Sequence, residues 1–520
     1  MKKVIVFFFL TTTLLVLGSC SKKFDQYFKD PNRPEDVSAA LVLKGILNDM
    51  TEGAWNSTQG WNQFYNYNYN YYGNQEYNWT STGLNYTTLK NVIKMEEEAK
   101  KSGGNDINPY TALGKFFRAY FFYVMTSKVG DLPLNEALKG LENQQPKYNT
   151  QKEIFVQVLN WLDEANNDLA QLIAASDATL LGDFYFNNNL SNWQKVVNTF
   201  KLRVLISLSK KENDAELNIK VKFAEVISNP SKYPILTGMS DNLQYVYNNT
   251  FNKYPKNPDN YGFENFRLNM SATYLNTLVI LKDPRTFVVA EPALKKVTSG
   301  ISPTNYTAFV GASSAEDLAD MSTKAGEGEY SLINRKRYYS TYTAENTIQI
   351  GYPEMCFNIA EAINRGWVSG NAEDWYKNGV MASIAFYGIT DGSNTVYFQT
   401  PNTGLGNYDT YTINVDLNAY YNQAAVKYGG DNAAGLSQIL TQKYLAFFQN
   451  SGWEAFFNYR RTGIPPFAQG GPGTGNSGVI PKRFQYPTSE RTTNETNLNE
   501  ALQRQFNGND DINAAMWLIQ

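Results

Sequence analysis

Between Thr150 and Ala170 the chain carries the device that most narrows its folding choices. Thr150-x-x-Glu153 is a capping box, in which a hydroxyl and a carboxylate satisfy first-turn amides that an α-helix leaves unpaired. Ile154, Val158, Leu162, Ala165 and Leu169 follow at helical spacing and mark one apolar face. A helix that starts this way must bury that face on another element. The device repeats at Ser191-x-x-Gln194, ahead of Val196 or Val197, Phe200, Val204 and Leu208, with Lys195, Lys201 and Arg203 as polar counterparts.

Helical segments come as neighbours: 83–101 with 110–127, 150–174 with 191–212, and 353–368 with 371–389. Each pair spans one antiparallel hairpin. Asn371 is placed to cap the last helix, with Glu373 and Asp374 in its first turn, where negative charge suits the helix dipole. Further helices are expected from about 39 to 50 and from about 436 to 459. Pairs of this size are similar to tetratricopeptide repeats, although the consensus residues of that repeat are missing. The stretch 213–350 is turn-rich, as in "YPKNPDNYGF", and reads as loops and short elements laid over the helices. A second irregular block is expected over 390–435.

The 520-residue chain holds no histidine. That removes Ser-His-Asp triads, Cys-His pairs, HExxH zinc sites and His general bases together. Cys20 and Cys356 are the only cysteines, so no cysteine metal cluster can form and at most one disulfide can. A net charge of −3 gives nucleic acid no electrostatic footing. Gly473-Thr474-Gly475-Asn476-Ser477-Gly478 has GxGxxG spacing, but its flanks supply neither the strand nor the helix that a dinucleotide site needs, so it reads as a loop. Glu96-Glu97-Glu98, with lysines on either side, reads as a solvated helix face. "NPDNYG" at 257–262 and "NGNDDIN" at 507–513 are oxygen-rich but miss the EF-hand template. No metal and no cofactor is expected. Spacing alone does not exclude two glycosidase carboxylates among the 49 acidic residues.

Lys2 and Lys3 precede an apolar run from Val4 to Leu17, interrupted by Thr11 to Thr13 and followed by Gly18, Ser19 and Cys20. The run is too short to span a bilayer and reads as a leader over 1–19. Leu17-Gly18-Ser19-Cys20 resembles a bacterial lipobox, whose cysteine is acylated and becomes the first mature residue. Several acyl chains on one residue anchor a protein stably. Ser21 behind it resembles the pattern of lipoproteins sent to the outer membrane. Lipid on Cys20 would leave Cys356 without a disulfide partner. Residues 20–38, polar and with two prolines, read as a tether into a single domain over 39–520.

The 14% aromatic share is high, and it is densest in "WNQFYNYNYNYYGNQEYNW" at 61–79. As a strand, the tract would line Tyr65, Tyr67, Tyr69 and Tyr71 along one face, with Asn66, Asn68 and Asn70 opposite. As a helix, Trp61, Tyr65, Tyr69 and Tyr72 would share a side. Two uses follow. The rings form a buried cluster, or they form a ligand platform on which rings stack against sugars or peptide side chains while amides bond hydroxyls or backbone. The candidates for a platform are Trp61, Tyr65, Tyr69, Tyr77 and Trp79.

Several segments together carry a resemblance: "YTALGKFFRAYFFYVMTSKVGDLPLNEALKG" (110–140), "PKYNTQKEIFVQVLNWLDEAN" (146–166), "SNWQKVVNTFKLRVLISLSKK" (191–211), "YPEMCFNIAEAINRGW" (352–367), "TQKYLAFFQNSGWEAFFNYRRTGIP" (441–465) and "IPKRFQYPTSERTTNETN" (480–497). With them the chain resembles the SusD/RagB family of nutrient-binding outer-membrane lipoproteins of Bacteroidota, over nearly all of its mature length. Ser127-Lys128-Val129 departs from the usual Asp-Xaa-Tyr of relatives. The resemblance implies a mainly α fold, with tetratricopeptide-like helix pairs in a right-handed superhelical scaffold and an irregular, loop-rich lobe. It implies a SusC-like TonB-dependent transporter as partner, an oligosaccharide or peptide as ligand, and no enzymatic activity. It also implies a lipid anchor in the outer membrane with the protein facing the exterior. The rival readings are a surface glycoside hydrolase and an envelope scaffold that binds no nutrient. The 61–79 tract follows the first long helix, about where relatives place part of their ligand surface.

Overall fold

Side-chain caps start most of the long helices where the chain leaves extended backbone. In the computed structural model, which describes residues 37–520, Ser38 caps α1 (Ala39–Asp49) by accepting from Leu41 N. The helix α2 (Tyr86–Lys101) follows. Asn108 and Thr111 form a reciprocal box ahead of Pro109 at the start of α3 (Pro109–Val129). Thr150 and Glu153 form the expected box of α4 (Gln151–Ala174), with Thr150 N donating to Glu153 Oε2 at 2.7 Å. The next cap differs from expectation. Asn189, not Ser191, caps α5 (Leu190–Ser207) by accepting from Asn192 N. Gln194 is buried and donates to Asn166 Oδ1 on α4 at 3.0 Å. An amide partner across the helix pair outcompetes the local box. The leader, Cys20 and the tether up to residue 36 lie outside the described residues.

The helices stack in sequence. α2 packs on α1 and α3, α3 on α4, and α4 on α5; α5 then meets α6 (Tyr352–Asn364), which packs on α7 (Ala372–Phe386) and α8 (Ala433–Ala446). Asn371 caps α7 by accepting from Glu373 N. At Gly379 a side chain would place Cβ 2.8 Å from the Phe357 ring, so glycine sets how closely α6 and α7 approach. The result is mainly helical, with tetratricopeptide-like pairs.

The single helix expected over 436–459 is two. α8 ends at Ala446 and α9 starts anew at Glu454 (Glu454–Thr462). Between them Gln449, Ser451 and Gly452 take left-handed backbone, with φ of 60°, 55° and 52°. Asn450 and Ser451 bond Ile348 there, with Ile348 N donating to Asn450 Oδ1 at 2.8 Å and Ser451 N donating to Ile348 O at 2.7 Å.

The lobe between α5 and α6 is built from short helices and short strand pairs. β1 (Tyr65–Tyr67), from the aromatic tract, pairs antiparallel with β3 (Leu268–Met270). β2 (Leu243–Tyr245) pairs with β4 (Thr347–Ile350). The block at 390–435, expected to be irregular, holds a hairpin of β5 (Gly392–Gln399) and β6 (Tyr408–Val415), paired from Gly392 and Val415 to Gln399 and Tyr408. Val396, Phe398, Ile413 and Val415 are buried on it.

Inside the helical stack lies a chain of buried ion pairs. Arg203 on α5 donates from Nε and Nη2 to the Glu354 carboxylate on α6 at 2.7 and 2.5 Å. Arg461 on α9 donates from Nη1 and Nη2 to the Glu361 carboxylate on α6 at 2.5 and 2.9 Å. Lys443 on α8 donates to Asn358 Oδ1 at 2.6 Å and Asn458 Oδ1 at 3.1 Å. Burial pushes the Glu361 carboxyl up, but Arg461, with Arg365 and Lys443, outweighs it and holds Glu361 at about 2. Burial pulls Lys443 down to about 8 against the attraction of Glu361.

A carboxyl held below its unfolded pKa of about 4.3 supplies stability that is present above that value and lost as pH falls toward the folded one, here about 3 kcal/mol. The urea midpoint of the protein is therefore expected to fall between about pH 4.5 and pH 2, and Glu361→Gln to flatten that part of the profile. Arg461→Met, which leaves Glu361 with Arg365 as its one remaining ion-pair partner, is expected to cost about 3 kcal/mol at pH 7. An unchanged midpoint in Arg461→Met would contradict this account.

Candidate ligand-binding surface

The 61–79 tract is neither one strand nor one helix. A short helix (Ser57–Trp61) capped by Asn56 leads into Gln63, which takes left-handed φ of 56°, and then into β1. After three paired residues a single 3₁₀ turn over Asn70–Tyr72 ends at Gly73, φ 133°, where a Cβ would meet the Tyr67 ring at 3.1 Å. Only glycine allows the chain to fold back over Tyr67. The rings consequently point in different directions.

Burial divides the five sequence candidates. Tyr65, Tyr77 and Trp79 belong to the core. Tyr65 Oη donates to Asn56 O at 3.0 Å, and its ring lies 5.6 Å from that of Trp55. Tyr77 Oη donates to Trp61 O at 2.6 Å. Burial raises the hydroxyl pKa of both tyrosines. Trp79 stacks on Phe484 at 4.0 Å and 7° between planes. Trp61 is half-buried, stacked on Trp453 at 5.6 Å, with its indole N–H donating to Glu76 O at 3.1 Å. The departure at Ser127-Lys128-Val129 packs into this same cluster. Lys128 Nζ lies 5.1 Å from the Trp453 ring centre, and burial lowers its pKa. Of the five, Tyr69 alone offers a ring to solvent, at 47% exposure.

Tyr69 has ring neighbours outside the five candidates. Tyr71 is 84% exposed and meets Tyr72 edge-on at 5.2 Å. The Arg267 guanidinium lies over Tyr69 at 4.6 Å and over Tyr72 at 5.9 Å. From the lobe, Phe263 and Phe266 stand 71% and 60% exposed. These residues follow "NPDNYG", whose oxygen-rich composition masked the rings behind it. Asn68 fixes the two segments together, its N–H donating to Arg267 O at 3.1 Å and its side-chain amide to Phe266 O at 2.8 Å.

Beneath this rim opens a cleft of about 380 Å³, with Phe266, Arg267, Arg335, Glu291, Tyr330 and Tyr411 among its walls. The hairpin supplies its far side through Phe398, Gln399 and Asp409. Glu291 Oε1 accepts from Arg335 N at 2.8 Å and Oε2 from Gln399 N at 2.9 Å, and burial raises its pKa. Both Glu291 oxygens thus tie the cleft wall to the hairpin. Asp409 accepts from the Thr400 hydroxyl at 2.8 Å. Arg335 packs its guanidinium over Phe266 at 4.7 Å.

Among the described residues no group of three or more Asp, Glu, Cys or His side chains gathers as a metal site. In the oxygen-rich stretches, Asp259 is engaged by Lys253 at 2.6 Å, and Asp510 by Arg491 at 2.7 Å. No helix among the described residues is long and apolar enough to cross a membrane.

Residues 31–487 match the model of a SusD-like family described as "Starch-binding associating with outer membrane". In structure the chain is similar to two SusD homologs from Bacteroides fragilis NCTC 9343. Each is 30% identical over 93% of this chain and 100% of its own, with TM-scores of 0.80 and 0.76. It shares its fold with a chitin-binding SusD homolog from Flavobacterium johnsoniae, 19% identical over 93% of this chain and 98% of that one, with a TM-score of 0.68. No curated protein matches the chain in sequence.

The core and the rim are separable by substitution. Tyr77→Ala or Trp79→Ala is expected to lower stability by about 3–5 kcal/mol, whereas Tyr71→Ala leaves the denaturation midpoint where it is. A midpoint that falls equally in all three variants would return the whole tract to the core.

Proposed function

The chain belongs to the SusD-like family, and from that membership we propose that it captures an oligomeric nutrient at the rim and cleft and acts as lid to a SusC-like TonB-dependent transporter. The observation that carries this reading is the group of outward rings. Tyr69, Tyr71, Phe263 and Phe266 are exposed beside a cleft, although each could have been buried at a gain. Flat rings with a guanidinium between them suit the apolar faces of sugars, with the cleft taking hydroxyls. A glycan is favoured over a peptide, in keeping with the chitin-binding homolog.

In this scheme residues 39–520 act as one nutrient-binding domain on a tether at 20–38, after a signal peptide at 1–19 is removed. Acylated Cys20 holds it at the outer membrane, facing the exterior. The protein binds without cleaving. A glycoside hydrolase needs two carboxyls free to act on the bond, and Glu291 has both oxygens bonded to backbone amides. Affinity at the lid need only be moderate, because closure over the transporter raises the local concentration of the nutrient at the barrel's own site.

Titration of the full chain with oligosaccharides tests capture. Tyr69→Ala with Tyr71→Ala is expected to weaken binding about 10- to 100-fold without loss of stability. Product formation during the titration would favour the hydrolase, and no binding across broad glycan and peptide sets would favour a scaffold. Cys20→Ala is expected to move the protein from the membrane fraction to the soluble one and to end its co-isolation with a barrel. Continued membrane association of that variant would remove the lipid anchor from the scheme.

A further inference from the structure

Buried arginines in this protein are paired with acids. Arg203 lies 2.5 Å from Glu354, Arg285 lies 2.7 Å from Asp283, and Arg461 lies 2.5 Å from Glu361. Arg335 is different. It is only 8% exposed, yet its guanidinium makes no ion pair and no hydrogen bond with any described residue, and its Nε is buried without an acceptor. Its guanidinium packs over the Phe266 ring face and lines the cleft, and the Glu291 carboxyl attracts it without a hydrogen bond.

A buried guanidinium whose Nε has no acceptor, and whose other donors meet no protein group, is costly unless something else fills them. Arg267, on the same wall, is held only by the Tyr69 and Tyr72 faces, so its donors are also open. Lys336, next in sequence to Arg335, lies over the Tyr397 and Tyr408 rings and likewise has no acidic partner among the described residues. The two acids of the cleft do not fill the need. Glu291 turns both oxygens to backbone amides, and Asp409 serves the Thr400 hydroxyl.

Resting on the capture reading above, we infer that the cleft takes a carboxylate of the ligand on Arg335 and Arg267. The nutrient is therefore an acidic oligosaccharide, with uronate units whose sugar faces lie on the rim. The planar fork of arginine matches a carboxylate through two parallel hydrogen bonds, which a hydroxyl cannot reproduce. The rings set the sugar's orientation and the guanidinium groups read its charge. An arginine kept unpaired for a ligand detracts from the stability of the empty protein.

The test titrates the full chain with a short oligogalacturonate and with its methyl ester, which has the same rings without the charge. The acid is expected to bind about 10- to 100-fold more tightly, with the difference shrinking as salt rises. Arg335→Gln is expected to erase that preference and to leave the melting temperature of the empty protein unchanged or higher. Arg267→Gln, at a partly exposed position, is expected to reduce the same preference and serves if Arg335→Gln does not fold. Equal binding of acid and ester, both lost with Tyr69→Ala and Tyr71→Ala, would overturn the carboxylate assignment while leaving capture intact. So would full acid preference in either arginine variant that folds. Binding of a short peptide with a free C-terminus, but not of its amide and not of either saccharide, would overturn the sugar assignment. Absence of binding to all four probes and to neutral oligosaccharides would overturn capture itself.

Discussion

Four buried side-chain amides hold the rest of the molecule to the aromatic tract. Asn62 Nδ2 donates to Gly452 O at 2.9 Å while its Oδ1 accepts from Phe456 N at 3.1 Å, so one side chain ties the tract across the break between α8 and α9. Gln63 donates to Ala468 O and accepts from Ala468 N, each at 2.8 Å. Asn66 donates to Ala312 O at 2.8 Å and accepts from the Ser314 hydroxyl at 2.7 Å. Asn68 reaches Phe266 O at 2.8 Å and Asn269 Oδ1 at 3.0 Å. Each amide satisfies groups that would otherwise be buried unpaired, at about 1–3 kcal/mol apiece. These bonds explain why so many rings are interleaved with Asn and Gln. Rings on the inward side, Tyr77 and Trp79 among them, fill the core, amides bond distant backbone, and Tyr69, Tyr71 and Tyr72 just beyond Asn68 are left at the surface.

This division of labour was only half legible in the sequence. The caps at Thr150 and Asn371 and the apolar spacing of 154–169 gave the helix pairs, because both signals are local. The cap at Asn189 was missed because Ser191-x-x-Gln194 fits a local rule that a partner on α4 overrides. The hairpin was legible in part. Val396 with Phe398, and Ile413 with Val415, alternate at period two around the Gly404 and Gly406 turn. Polar Ser, Asn and Thr between them hid the signal. In the tract no period could have worked, since three paired residues followed by a turn at Gly73 follow neither 2 nor 3.6. Which rings face out depends on Leu268–Met270, some 200 residues later in the chain.

The contrast between the helical stack and the cleft follows from where charge is satisfied. In the stack, Arg203 and Arg461 each meet a carboxylate bidentately across helices. Such pairs fix relative helix positions even where their net contribution to stability is small, since a shift of one partner strands the other in a low dielectric. At the cleft, the local rules are broken together. Arg335 and Arg267 have no hydrogen-bonded acid, phenylalanines stand in water, and a 3₁₀ turn carries two tyrosines. One such violation would be noise on a large surface. Several converging on one cavity, hinged on Asn68 and Phe266, form the arrangement expected where folding stability has been given up for recognition. The aromatic tract belongs to both regions, and its buried half holds the exposed half in place for the capture proposed above.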